Sequence, residues 1–228
     1  MSRYKINPLV LPLVSAVLPL VFLGIVGLSK FLRGNPDIVS ESLSDLAIGP
    51  FAWLGQLAFL CVSIMILVFT MVLSRSVQRH EGFGSGVALL YVCSVCFLLL
   101  AFFHTTADHQ LWTTERSIHV VLASTAAVAF PLACFLVSPS FRKDPVWHGL
   151  LWYTIITGLL GIALDANRLF VISWWSLIGL QEILLISNAI IWIEVASIRM
   201  LRLSNHLKSI ESSPEWCNNL GYDSSRPD

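Results

Sequence analysis

Long apolar runs alternate with short polar stretches along almost the whole chain. A helix that crosses the apolar core of a membrane needs roughly 20 mostly apolar residues, and six runs are long enough. The predicted spans are residues 8–29, 51–73, 85–103, 119–137, 148–166 and 174–197. Because the connections between them are short, helices adjacent in sequence should also be adjacent in space. The pattern therefore predicts an all-α, polytopic integral membrane protein, an antiparallel bundle of six transmembrane helices.

The two ends of the chain differ in character. The first apolar run is long and has no small-residue cleavage site before Lys30, so we interpret it as a helix and not as a cleaved signal peptide. Residues 1–203 form the predicted transmembrane domain, and residues 204–228 form a polar tail rich in Ser, Asn, Glu and Asp. We expect most of this tail to be disordered after a short extension of the last helix, because it has little apolar surface to bury.

The overall composition agrees with a membrane protein. The 228 residues are 56% hydrophobic and 12% charged, whereas soluble domains carry about 25% charged residues. Fourteen basic and fourteen acidic residues cancel, so no net field attracts nucleic acid, and the predicted partners are membrane lipids. Four of the five cysteines lie inside apolar runs, which does not indicate a disulfide framework.

The distribution of Lys and Arg predicts the orientation. Ten of them lie in the N-terminal segment, the second and fourth connections and the tail. The other four, on the opposite side, are Lys30, Arg33, Arg116 and Arg168. Connections on the cytoplasmic side of a membrane carry the excess of positive charge. Both termini are therefore predicted to be cytoplasmic.

Several side chains able to do chemistry map to the opposite, outward end. If the third helix continues one turn past the apolar core, His104 and Asp108 stand four residues apart on one side of it. His119 lies one turn into the fourth helix, at the same depth. Two imidazoles and a carboxylate at one level could hold zinc or carry out acid–base chemistry. His104 and His119, together with Asp108, are the candidate zinc ligands, although their spacing matches no named metal motif.

Glu182 is the acidic residue deepest in this end of the predicted bundle. It follows Trp174 by eight residues, which places it roughly 12 Å below the outward surface. An acid at that depth is costly unless it is protonated, paired or facing a polar cavity. Asp108 and Glu182 are therefore candidate catalytic residues.

Asp45 is a third candidate catalytic residue. It belongs to a polar stretch in which Leu43, Leu46 and Ile48 recur, a pattern that predicts a short amphipathic helix on the membrane surface. From there Asp45 could reach the same cavity, cap the short helix or remain solvated. Loop histidines and acids are usually solvated, and we assign His109 and Glu115 to ordinary surface.

Short motifs in three places resemble a known family. They are Ser44-Asp45-Leu46, then Phe103 to Asp108 followed by Ile118-His119, and Gly179-Leu180-Gln181-Glu182. Over residues 8–203 the chain resembles the bacterial and archaeal six-pass family catalogued as domain of unknown function 998. The resemblance implies a six-helix fold in the plasma (inner) membrane of a prokaryote and implies no activity.

The chain departs from the pattern of that family at three positions. Ala47 stands where Gly is usual, His104 where Pro is usual, and Ile183 where Arg is common. Without this Arg, the resemblance does not imply an ion pair at Glu182.

Two functions fit these residues, and the sequence leaves open whether the protein is an enzyme. One is a metal-assisted hydrolase or transferase that acts on a lipid or isoprenoid at the outer leaflet. The other is a non-catalytic protein that binds a lipid or small molecule, or an accessory subunit of a membrane complex. The one-sided placement of polar groups argues against a transporter, which would want them near the midplane.

Overall fold

The computed structural model describes residues 10–34, 41–106, 112–170 and 177–211, and every regular element in these ranges is helical. Six helices within them are long and apolar enough to cross a membrane. They are α1 (Val10–Arg33), α2 (Ala52–Ser76), α3 (Phe83–Leu100), α4 (Thr114–Lys143), α5 (Leu151–Phe170) and α6 (Ile178–Glu211). Short 3₁₀ helices precede α2 (Ser44–Ala47) and α5 (His148–Leu150). The predicted all-α fold with six membrane helices is confirmed.

The helix ends differ from the predicted spans where polar residues decide them. Helix α3 ends at Leu100, so the condition for placing His104 and Asp108 on one side of it is not met. Helix α6 continues to Glu211, into the segment predicted as a tail. The rest of that segment lies outside the described residues.

The six helices form a closed ring. Each helix packs against its neighbours in sequence, and α1 also packs against α6. Ser15 and Ser197 share a buried hydrogen bond of 2.8 Å across this closing contact. Between α5 and α6, the Trp192 indole N–H donates to the Thr154 hydroxyl at 2.9 Å. Such bonds satisfy polar groups that would otherwise face hydrocarbon.

The two halves of the ring are packed differently. We call the end with the α1–α2, α3–α4 and α5–α6 connections the cap end, and the opposite end the tail end. In the tail-end half, Phe69, Phe141, Trp147 and Trp192 are fully buried. In the cap-end half, by contrast, residues 180–189 of α6 include none that is fully buried. The core is therefore solid at the tail end and hollow at the cap end.

Residues 41–48, here called the cap segment, fold into the hollow end of the ring. Leu43, Leu46 and Ala47 are 7%, 1% and 3% exposed. The apolar residues that predicted an amphipathic helix on the surface instead insert among the helices, around a 3₁₀ turn. Gly55 of α2 permits this close approach, because a Cβ there would lie less than 3 Å from the backbone of Leu46 and Ala47.

Arg33, the last residue of α1, fastens the cap segment. Its guanidinium donates to the backbone carbonyls of Asp45 at 3.1 Å and Leu46 at 2.7 Å, and also to that of Ile48. The planar, multi-donor head of arginine suits this role, since it can serve several acceptors at once. Glu41 pairs with Arg33 at 3.4 Å and with Lys30. Two of the basic residues at the cap end are therefore bound within the protein.

Replacing Gly55 by alanine should displace the cap segment. Overpacking costs typically 1–3 kcal/mol, and here the added methyl meets backbone, which cannot rotate away. We expect a lower thermal midpoint for Gly55→Ala in detergent, followed with a thiol-reactive dye that detects exposure of the buried cysteines. Gly84→Ala is the matched control, since a Cβ there meets nothing within 4 Å. Equal midpoints for the two variants would contradict this close packing.

Replacing Arg33 by lysine should loosen the cap segment while keeping the charge. A single ammonium group cannot serve three carbonyls, and hydrogen bonds to charged groups contribute about 1.5–3 kcal/mol each. We expect hydrogen exchange of the backbone amides in residues 41–48 to become roughly tenfold faster or more, as 1.4 kcal/mol corresponds to a factor of ten. Arg75→Lys, at the far end of α2, should leave it unchanged. Slow exchange in both variants would show that Arg33 does not hold the segment.

Candidate functional site

An elongated apolar cavity lies beneath the cap segment, between α2, α3, α4 and α6. It is narrow: about 80 Å³ of its interior is open to the centre of a water-sized probe. Nineteen of the described residues line it, and apart from the thiol of Cys93 the polar side chains among these are Ser44 and Glu182. Both belong to the cap end. The cavity therefore has an apolar body and a polar mouth.

The cavity is about one membrane leaflet deep. Along α6 its lining runs from Glu182 to Ile193, a rise of about 16 Å, against roughly 30 Å for the whole apolar core of a bilayer. Phe130 of the lining packs against a cluster of buried aromatic rings: Trp192 meets Phe130 at 5.7 Å and Phe69 at 5.1 Å, edge to face in both cases.

A hydrogen bond between Ser44 and His119 lies at the mouth. His119 is on the second turn of α4, whose start is fixed by the Thr113 hydroxyl accepting from the Arg116 backbone N–H at 3.1 Å. The imidazole is 4% exposed and meets the Phe59 ring edge-on. Its Nε2 lies 3.0 Å from the Ser44 Oγ, and its Nδ1 lies 2.8 Å from the Phe103 carbonyl oxygen.

The partners of His119 decide its tautomer. A carbonyl oxygen can only accept, so Nδ1 carries the proton and donates to Phe103. In the neutral ring Nε2 then holds a lone pair, which accepts from the Ser44 hydroxyl. A hydroxyl bonded to an imidazole that a third group orients is the arrangement of an activated nucleophile. The same bond also ties the cap segment to α4.

Glu182 lies closer to the cap end than its place in the predicted span indicated. Helix α6 begins at Ile178, so Glu182 is about 6 Å from its start. One carboxylate oxygen accepts from the Leu43 backbone N–H at 3.0 Å. The cap segment thus supplies a backbone donor to the acid at position 182. Such a donor reduces the cost of burying the acid.

Asp45 supports the cap segment from within. Its carboxylate accepts from the Ser42 backbone N–H at 3.0 Å, and its own N–H donates to the Ser42 hydroxyl at 3.2 Å. This reciprocal pair is a capping box. Of the two neighbours in this turn, Ser44 is among the described residues that line the cavity and Asp45 is not.

His104 forms a separate polar group at the rim. One carboxylate oxygen of Glu115 accepts from the His104 backbone N–H at 2.8 Å and from its Nδ1–H at 3.0 Å. The Gln56 amide donates to His104 Nε2 at 2.8 Å. Glu115 is exposed, as expected, and it also holds the start of the α3–α4 connection through these bonds.

The two histidines are not arranged as a chelating pair. All four of their ring nitrogens have protein hydrogen-bond partners within 3.0 Å. Among the described residues, no group of three or more His, Cys, Asp or Glu side chains is positioned to hold a metal ion. Asp108, the expected third zinc ligand, lies outside the described residues, as does His109. Zinc at this end of the protein stays a prediction.

Sequence reasoning missed Ser44 and Gln56 as members of the site. A usable signal existed for Ser44, since it and His119 belong to two of the short elements that resemble the family. Their hydrogen bond joins positions 75 residues apart. No local pattern marks such a pair, and none marks the amide of Gln56.

Comparison with known proteins identifies the family. A comparison with curated proteins and with solved structures gives no match. A family model described as "Protein of unknown function (DUF998)" matches residues 16–199, most of the chain. The three short motifs thus pointed to the right group, and the family match agrees with the helices of a multi-pass integral membrane protein. The chain belongs to the DUF998 family.

Proposed function

We propose that this protein binds the apolar chain of a membrane lipid or isoprenoid, with the polar end of the ligand at Ser44 and Glu182. The observation that carries the proposal is the cavity: an apolar interior about one leaflet deep, with its polar lining side chains at the mouth. Pockets that bind small molecules are mostly apolar, with a few polar groups that fix orientation. A lipid likewise has a long apolar chain and a polar group at one end.

The packing around the cavity supports the proposal that the ligand is a long apolar chain. We expect the buried rings of Trp192 and Phe69, which pack against Phe130 of the cavity lining, to limit how far the chain reaches toward the tail end. The cap segment is fastened by Arg33 and by Glu182, so the mouth keeps its shape without ligand. A preformed site loses less entropy on binding than one that must first be ordered.

We further propose that the protein lies in the plasma (inner) membrane of a prokaryote with both termini cytoplasmic, so that the cavity serves the outer leaflet. Ten of the fourteen Lys and Arg residues belong to the tail side. Of the remainder, Lys30 and Arg33 are bound by Glu41. The positive-inside rule counts Lys and Arg residues, so the excess of ten over four carries this proposed orientation.

A metal-assisted version of this function would use His104, His119 and Asp108 as zinc ligands. It requires both imidazoles to give up a present hydrogen bond. The cavity serves that version and a metal-free one equally, so lipid binding is the core of the proposal. In both, Asp45 shapes the turn that presents Ser44, and Glu182 stands beside the ligand.

Filling the cavity should weaken lipid binding. Ala126 is buried on the cavity wall, and Ala126→Phe places a ring where the chain would lie. We expect the Kd for cis-parinaric acid, a fluorescent long-chain fatty acid, to rise roughly tenfold or more, which corresponds to about 1.4 kcal/mol. The measurement is fluorescence titration of purified protein in detergent.

Val128→Phe is the matched control for this titration. Val128 lies two residues further along α4 and is 55% exposed on the outer surface of the ring, so its ring should not enter the cavity. Equal affinities for wild type and both variants, with all three folded, would contradict binding in the cavity.

The proposed orientation predicts which positions a membrane-impermeant maleimide can reach in intact cells. In a Cys217→Ser background the remaining cysteines are buried. Ser117, exposed at the cap end of α4, and Gln78, exposed in the α2–α3 connection, are the test positions. We expect Ser117→Cys to be labelled in intact cells and Gln78→Cys only after permeabilisation. The reverse pattern would show that the cavity serves the inner leaflet.

A further inference from the structure

We propose that Ser44 is the nucleophile of a lipid esterase, with His119 as its general base. This inference rests on the proposed lipid-binding function, because it uses the same cavity to hold the substrate. It names the reaction, hydrolysis of a long-chain carboxylic ester, and the two residues that carry it.

The first support is the geometry of the pair. The Ser44 Oγ lies 3.0 Å from Nε2 of His119, within reach for direct proton transfer. The Phe103 carbonyl accepts from Nδ1 at 2.8 Å, which fixes the tautomer that leaves Nε2 basic. A third group that orients the base is the general feature of nucleophile–base pairs in hydrolases.

His119 is buried, whereas Ser44 is accessible from the cavity. His119 is 4% exposed, so its ring is held by packing. Ser44 is partly exposed and lines the cavity, so its hydroxyl meets whatever the cavity holds. A buried base beside an accessible nucleophile at the mouth of a binding pocket is the arrangement that a catalytic pair requires.

The depth of the cavity selects the substrate class. With its chain running toward Trp192, a bound lipid would place the group at the head of that chain beside Ser44. The lining from Glu182 to Ile193 extends about 16 Å, so the acyl part of the substrate is long. The carbonyl carbon attacked is then the first carbon of a long-chain acyl group, and the alcohol part points outward.

The chemistry balances with water as the sole co-reactant. As the Ser44 Oγ bonds to the ester carbonyl carbon, its proton passes to Nε2 of His119. The tetrahedral species collapses, the bond to the alcohol oxygen breaks, and His119 returns the proton to that oxygen. Water then attacks the acyl-Ser44 ester and gives a proton to His119. The fatty acid departs, and Ser44 regains its hydrogen.

Neighbouring contacts act as positioning devices for Ser44. Glu182 holds the backbone N–H of Leu43 at 3.0 Å, and the Ser42–Asp45 capping box closes the turn around it. Rigid support from surrounding hydrogen bonds is what keeps a nucleophile within productive reach of its base. The same Ser44–His119 bond could instead serve only to fasten the cap segment, and the experiment separates the two roles.

The test is covalent labelling with a long-alkyl fluorophosphonate. Attack by the Ser44 Oγ forms an O–P bond and expels fluoride. We expect wild-type protein in detergent to be labelled at Ser44, as mapped by mass spectrometry, and Ser44→Ala to lose the label. His119→Gln should slow labelling by about a hundredfold or more, the usual range for loss of a general base. Ser117 is an exposed serine on α4, the helix that carries His119. Ser117→Ala is the control and should be labelled like wild type.

Ester hydrolysis and lipid binding are measured on the same proteins. Purified wild-type protein should hydrolyse p-nitrophenyl palmitate, and Ala126→Phe should lower that rate more than the rate with p-nitrophenyl acetate. Circular dichroism and gel filtration of Ser44→Ala check that this variant is folded. Binding without labelling or hydrolysis by wild type would overturn the esterase and leave lipid binding standing. Loss of both binding and labelling in folded wild type would overturn the two proposals together.

Discussion

Backbone N–H and C=O groups cannot be left without partners inside a membrane protein, and this constraint governs the cap end. The cap segment brings a 3₁₀ turn in among apolar helices. The Arg33 guanidinium takes up three of its carbonyls, and the carboxylates of Asp45 and Glu182 each take up one of its N–H groups. Without these partners the segment would carry unpaired backbone groups among apolar side chains, which costs free energy.

The groups that satisfy the cap segment also build the mouth of the cavity. Its anchors come from four different helices: Arg33 on α1, Gly55 on α2, His119 on α4 and Glu182 on α6. The mouth therefore exists only when the whole ring is assembled. Structural and functional roles overlap here, so a single substitution at the cap end acts on both.

The two halves of the ring are packed differently, so the two ends of the protein are not equivalent. Trp192 and Phe69 fill the tail-end half, where tight packing and the Thr154 hydrogen bond hold α5 against α6. In the cap-end half small residues such as Ala123 and Ala126 leave the centre open. A solid half that holds the helices in place allows the other half to stay hollow, since close packing is the main source of helix association in lipid.

Hydropathy by itself determined the number of helices, their antiparallel order and the end of the bundle where polar chemistry gathers. These are sums over about 20 neighbouring residues, which the thickness of a bilayer makes decisive. Hydropathy did not determine which polar side chains bond to one another. His119 bonds to Ser44 and not to His104, and His104 bonds to Glu115, because α3 ends at Leu100 and the chain turns there. Only ring closure brings Ser44 across 75 positions to His119, and only the 3₁₀ turn decides that Ser44, rather than Asp45, faces the cavity.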